Sequence, residues 1–172
     1  MKKHILLMMF ISFLFIPVVK SQKFIEKTGG HCYTMKVADY LIRTYELNDA
    51  ASLQYLNTMK EVYMIVIHDT KDELKNAGVV FTGASDFLGG FVGNFKAEAA
   101  DRRLSQEKTF QESGASFAQV ELNWTEEDNS FYMLITAIET EQAYYKILMW
   151  TLGQYESIYK SDFSTMARSL KD

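Results

Sequence analysis

The side chains able to carry chemistry are few, and none falls into a spacing that a familiar reaction requires. His68 ends an apolar run beside Asp69, and Cys32 follows His31 near the start of the chain. The His68-Asp69 neighbours read as a strand-end contact rather than a catalytic dyad. His31 and Cys32, being adjacent, cannot by themselves supply a tetrahedral zinc site. A serine hydrolase needs a histidine base and a Gly-x-Ser-x-Gly elbow, but Ser85 is followed by Asp86-Phe87. Gly83, the Gly89-Gly90 pair and Gly93 invite a phosphate-binding reading. A P-loop must end in Gly-Lys-Ser/Thr, however, and these glycines lie inside an apolar helical pattern. Glu126-Glu127-Asp128 could attract calcium, which needs about six to eight converging oxygens; a solvated hairpin tip is the simpler reading. No two acids stand out as a glycosidase pair. Asn123-Trp124-Thr125 matches a glycosylation sequon but lies within an expected strand. The sequence therefore assigns no catalytic, cofactor-binding or metal-binding residue.

The elements around these residues are easier to read. Gln22 to Gly30 is a polar lead-in closed by a Gly-Gly turn signal, and Cys32 to Val37 alternates weakly as a first strand. Asp39 to Thr44 is ambiguous, and Leu47-Asn48-Asp49 reads as a turn. Ala51 to Asn57 and Glu61 to His68 predict two strands. In the second, Tyr63, Ile65 and Ile67 face one way and Val62, Met64 and Val66 the other, so both faces are apolar and should be covered. Thr70-Lys71-Asp72-Glu73 has the capping-box form and predicts a helix that Gly78 stops. A second helix follows from Phe87, Phe91, Phe95 and Ala99, recurring every four residues, with Ser85 or Asp86 at its start. Its glycines each lower helicity by about 1 kcal/mol relative to Ala, which suggests close approach to a neighbouring element.

The second half is clearer. Ala118, Val120, Leu122 and Trp124 alternate with Gln119, Glu121 and Asn123, a strand with one wet face. Glu126 to Asn129 connects it to Phe131–Ile138, apolar on both faces, and Tyr144–Thr151 completes an antiparallel meander. Tyr155, Tyr159, Phe163, Met166 and Leu170 mark one stripe of a closing helix. Strands in two groups with helices between and after them indicate an α+β fold.

The first 21 residues read as a secretory signal peptide. Met1-Lys2-Lys3-His4 is a positive n-region, Ile5 to Val19 is apolar apart from Ser12 and Pro17, and Val19-Lys20-Ser21 suits cleavage after Ser21. The apolar run, about fifteen residues, falls short of the roughly twenty that span a bilayer. Residues 22–172 are then a single domain with no expected membrane insertion, large enough for a real core. Loss of three Lys and no acid takes the formal charge from −4 to about −7, which argues against nucleic acid as a partner. Cys32 is the only cysteine, so no intramolecular disulfide can form; it reads as a small buried residue at a strand start, with a reactive thiol or an intermolecular bridge as the alternatives.

Two stretches carry a resemblance. Leu47-Asn48-Asp49-Ala50-Ala51-Ser52-Leu53-Gln54-Tyr55, continuing through Lys60 to Ile67, resembles small exported bacterial proteins of the PsbP-like group. Tyr144 to Thr151, followed by a helix ending at Ser169-Leu170-Lys171, is similar to them too. The resemblance implies an α/β/α sandwich, a central antiparallel sheet with helices on both faces, and proteins that act by binding partners. It offers no shared catalytic residue to transfer. A cystatin- or NTF2-like sheet curled around one helix is the competing architecture.

The leading expectation is a non-enzymatic envelope or secreted protein that binds another protein, with exposed Tyr and Trp as anchors. The first alternative is a binder of a small apolar ligand between sheet and helices, lined by Phe87, Phe91 and Phe95. The second is an enzyme of unrecognised type, which would need a cleft where acids, His68 or Cys32 converge.

Overall fold

Alternation on both faces of the long strands dictates a sheet that must be covered twice, and the computed structural model shows such a sheet. It describes residues 22–30 and 32–172; the expected leader and His31 lie outside the described residues. The strands are β1 (Phe24–Gly29), β2 (Tyr33–Ala38), β3 (Ile42–Arg43), β4 (Leu53–Asn57), β5 (Val62–Thr70), β6 (Ala100–Leu104), β7 (Lys108–Glu112), β8 (Ala115–Glu126), β9 (Asn129–Glu139) and β10 (Ala143–Leu152). The helices are α1 (Lys71–Asn76), α2 (Ala84–Val92) and α3 (Glu156–Ala167), the last entered through a single turn of 3₁₀ helix. The fold is α+β, dominated by an eight-stranded sheet in the order β3-β4-β5-β10-β9-β8-β6, with β7 sharing the outer edge of β8. Every pairing in it is antiparallel. β1 and β2 form a separate hairpin.

The meander β8–β9–β10 is held in register by its turns. Glu127 and Asp128 join β8 to β9 with φ of 49° and 65°, and both central residues at positive φ are what a type I′ hairpin needs to match strand twist. Ser113 and Gly114 do the same between β7 and β8, at 53° and 85°.

Side-chain parity then sorts the core. Val62, Met64, Val66, Tyr132, Leu134, Tyr145, Ile147 and Met149 pack with Tyr33, Met35 and Val37 of β2 and with Tyr159, Phe163 and Met166 of α3. The opposite parity, including Ile65, Val120, Leu122, Met133, Ile135 and Leu148, packs with Ala84, Phe87, Leu88 and Val92 of α2. The α3 stripe is as expected, with Leu170 buried just beyond the helix end. The capping box forms as read: Thr70 Oγ1 accepts from the Glu73 N–H, and the Glu73 carboxylate accepts from the Thr70 N–H. Gly78, at φ +73°, closes α1; its N–H donates to Lys75 O and that of Val79 to Leu74 O, a Schellman arrangement.

Several expectations need correction. The lead-in over Gln22–Gly30 contains strand β1, whose exposed side chains hide it; its six-residue backbone ladder with β2 holds it. Residues 100–112 hold β6 and β7, whose charged, exposed side chains carry no apolar alternation. The second helix stops at Val92, leaving Phe95 and Ala99 outside it. The reason is Arg102, whose guanidinium donates to Val92 O at 2.7 Å and Phe95 O at 3.2 Å, taking carbonyls that a continuing helix would have bonded. Nor do the helix glycines permit close packing. A Cβ at Gly89 would meet nothing within 4 Å, and one at Gly90 only Phe81 at 3.6 Å. The wet face of β8 is half-covered by α3: Gln119 is buried, and Glu121 and Asn123 are intermediate.

Candidate functional site

Sheets expose their edges, and this one treats its two edges differently. On one side, β6 and β7 present Arg103 and Lys108, the charges with which natural sheets discourage strand addition. On the other, β3 is two residues long and pairs only with β4 among the described residues. There Ile42 is 67 %, Tyr45 72 % and Met59 96 % exposed. Met59 sits in the turn between β4 and β5, and the Arg43 guanidinium lies 5.3 Å from the Tyr45 ring centroid. Asn57 holds the edge by donating to Tyr40 O at 2.7 Å, and the buried Gln54 side chain accepts from the Leu47 N–H at 2.8 Å and donates to Asn48 O at 2.6 Å. So short an edge strand offers little backbone for strand addition, but its unburied apolar side chains are a surface for an apolar patch of another protein.

The expected Tyr and Trp anchors are mostly elsewhere. Trp124 is buried, stacked on Phe131 at 5.0 Å, and half-buried Trp150 stacks on Tyr63 at 5.3 Å. Tyr45 alone of the large polar aromatics is strongly exposed. Neither Ile42 nor Tyr45 stood out in sequence, since one lay in an ambiguous stretch and the other before an expected turn. The one available signal was apolar residues in a segment too short to hide them.

Cys32 and His68 do come together. Cys32 is exposed, not buried as expected, because it belongs to the turn between β1 and β2 rather than to the strand. A Cβ on Gly30, at φ +55°, would stand 2.9 Å from His68 Cε1 and 3.4 Å from Cys32 Sγ. The His68 ring stacks on Tyr145 at 6.1 Å and meets Tyr33 edge-on at 6.0 Å. The nearby carboxylate of Asp172 is already engaged, accepting from Tyr145 at 2.9 Å and from Thr140 at 2.6 Å. Burial, then the hydrogen bond to Asp172, raises the Tyr145 phenol, and burial pushes that of Tyr33 up to about 12. Asp69, the sequence neighbour of His68, projects from the opposite sheet face, as successive strand residues must.

The remaining candidates are dispersed. Phe87 is buried with its ring against Phe81 and Tyr144, at 5.0 and 5.1 Å, while Phe91 and Phe95 are half-buried and pack on each other at 4.6 Å. Glu126 pairs with Lys96 at 2.5 Å and accepts from Trp124 Nε1 at 3.3 Å, which holds its carboxyl below the usual range. Among the described residues no three His, Cys, Asp or Glu side chains are grouped to hold a metal ion. Among the same residues no helix is long and apolar enough to cross a membrane.

The whole architecture has solved counterparts. Cyanobacterial PsbP (CyanoP) from Synechocystis sp. PCC 6803 superposes with a TM-score of 0.62 at 16 % identity, covering 90 % of this chain and 95 % of that one. The fold is PsbP-like. LpqN of Mycobacterium tuberculosis, described as involved in cell envelope biogenesis, matches at a TM-score of 0.58 and 9 % identity, over 88 % and 91 % of the two chains. At these identities the PsbP-like likeness is one of fold. No protein-family model matches the sequence, and no curated protein is detectably similar to it.

Proposed function

We propose that this chain is an exported accessory protein of the cell envelope, which works by binding another protein at the β3–β4 edge rather than by catalysis. The observation that carries the reading is the exposure of Ile42, Tyr45 and Met59 at the β3–β4 edge of the sheet. Large apolar side chains left in water on a rigid edge lower the solvation cost of a partner that covers them. The helices on opposite sheet faces are, on this reading, the layers of the α/β/α sandwich, which keeps the edge stiff. The leader over residues 1–21 delivers the domain of residues 22–172 to the periplasm or outside the cell. LpqN, similar in fold and described as taking part in envelope biogenesis, supports an envelope role.

Affinity capture from the envelope of the producing cell tests this. The wild-type chain should retain a discrete protein that the double variant Ile42→Lys, Tyr45→Ser does not. Retention of the same protein by both would reject the edge as the binding surface.

A further inference from the structure

Helix α2 packs mainly over β8 and β9, so the same sheet face is left half-covered where β5 pairs with β10. The register there sets Tyr63 against Trp150, Ile65 against Leu148 and Ile67 against Lys146. Ile65 and Leu148 are buried, but Tyr63, Ile67, Lys146 and Trp150 are only half-buried. Tyr63 and Trp150 stack with their planes 13° apart, a flat aromatic floor at one end of the strip. Phe91 of α2 borders it on one side, with Phe95 packed against its ring. Leu47, fixed to Gln54 of β4, packs on the same core from the other side.

Lys146 is the anomaly on this apolar strip. Its Nζ leans on two rings, 4.6 Å from the centroid of Phe91 and 5.2 Å from that of Phe87. Among the described residues no carboxylate lies within 4 Å of it, and the ion pairs all involve other cations. Nor is it sealed in, because the buried side-chain atoms without a partner among those residues are the Tyr132 and Thr151 hydroxyls. Burial works against the charge and lowers the Lys146 pKa, while Asp69, on the same sheet face, opposes that shift. An ammonium held partly out of water without a counter-ion favours whatever supplies one.

We propose that this strip binds a small planar monocarboxylate, its carboxylate accepting from Lys146 and its apolar body lying flat over Ile67 toward Trp150. An apolar lining with one fixed polar group is the usual makeup of a small-molecule site. The rings of Phe87 and Phe91 hold the ammonium in place, so little is lost in ordering it. Strands lie roughly 5 Å apart, and a floor two strands wide suits a single ring rather than a bulky body. A dianion is disfavoured, because Asp69 shares the face. An uncharged analogue gains the apolar contact but not the ion pair. The strip is distinct from the β3–β4 edge.

Titration of the isotope-labelled protein with cinnamate, cinnamamide and inorganic phosphate, followed by NMR, tests the assignment. Cinnamate should give saturable shifts centred on Ile67, Lys146 and Trp150, and cinnamamide should bind at least about tenfold more weakly, as expected for loss of a charge-assisted contact. Lys146→Met, which keeps an apolar stem on the Phe rings and removes the charge, should bring cinnamate down to the level of cinnamamide. Lys75→Met, which removes an exposed cation from α1, should leave cinnamate at wild-type affinity. Equal binding of cinnamate and cinnamamide by the wild-type chain, preference for phosphate, no saturable shift, wild-type affinity in Lys146→Met, or an equal loss in Lys75→Met would each overturn the proposal.

Discussion

Thr34 and Lys171 exchange both backbone hydrogen bonds, at 2.7 and 2.9 Å, so the tail beyond α3 is stitched to the start of β2. Ser169 adds its hydroxyl to the Lys36 N–H at 2.8 Å, and Met166 Sδ accepts from the Ala38 N–H at 3.4 Å. Among the described residues the β1–β2 hairpin pairs with no strand of the large sheet, and α3 and its tail hold it down. Leu170, 3 % exposed, fills the space beneath.

Leu170→Ala should therefore cost about 2–4 kcal/mol, the range for emptying a buried leucine site. Urea denaturation should show a lower midpoint, and hydrogen exchange should show β1 and β2 opening first. Uniform loss of protection across the sheet would contradict the tie.

Arg102 should matter out of proportion to its exposure. It closes α2 by donating to Val92 O and Phe95 O. Arg102→Met keeps much of the apolar stem but leaves those carbonyls unmet, at about 1–3 kcal/mol. Exchange of the last-turn amides of α2 should quicken, while Arg103→Met, on the same strand, should do far less.

Thr151 and Tyr132 sit directly opposite each other on β10 and β9, and both bury a hydroxyl without a partner among the described residues. Thr151→Val should stabilise the fold by about 1 kcal/mol, since the polar group is lost and the shape retained. A destabilised Thr151→Val, measured by the same denaturation, would mean that the hydroxyl is paired after all.

Asp162 gives a pH dependence with a definite sign. Burial raises its carboxyl above the ordinary 3.8, partly offset by the hydrogen bond it accepts from Tyr40 at 3.0 Å. A raised folded pKa means the folded state holds the proton more tightly. Its contribution to stability is fully present below the ordinary carboxyl value and is lost as pH rises through the raised one. Asp162→Asn keeps an acceptor for Tyr40 without the charge. Its stability relative to wild type should rise between pH 3 and pH 7; a constant difference would contradict the burial effect.

The legible parts of this fold were those in which side-chain period and burial coincide. β5, β9 and β10 are covered on both faces, so apolar residues occupy both parities and mark the strands directly. Thr70 and Glu73 announce α1 because a capping box needs particular atoms at a particular spacing. β1, β6 and β7 were illegible because backbone ladders at exposed positions ask little of the side chains. The sequence predicts too long an α2 because the Phe87-Phe91-Phe95 stripe continues past the point where Arg102, ten residues after Val92, intercepts the carbonyls. Cys32 reads as buried because its residue type usually is, although the Gly-Gly turn before it leaves it exposed between β1 and β2. The candidate edge and the half-covered strip were invisible for another reason. Ile42 and Met59 look like any apolar residue until the fold leaves them uncovered, and Lys146 lacks a counter-ion only because of what surrounds it.

The central claim is that the β3–β4 edge engages a protein partner, and site-specific photo-crosslinking in the envelope of the producing cell tests it most directly. A photoreactive residue in place of Tyr45 should give one discrete protein adduct, abolished by Ile42→Lys with Met59→Lys, while the same probe in place of Lys108 on the opposite edge gives none. Absence of any adduct from position 45, or the same adducts from both edges, would contradict it.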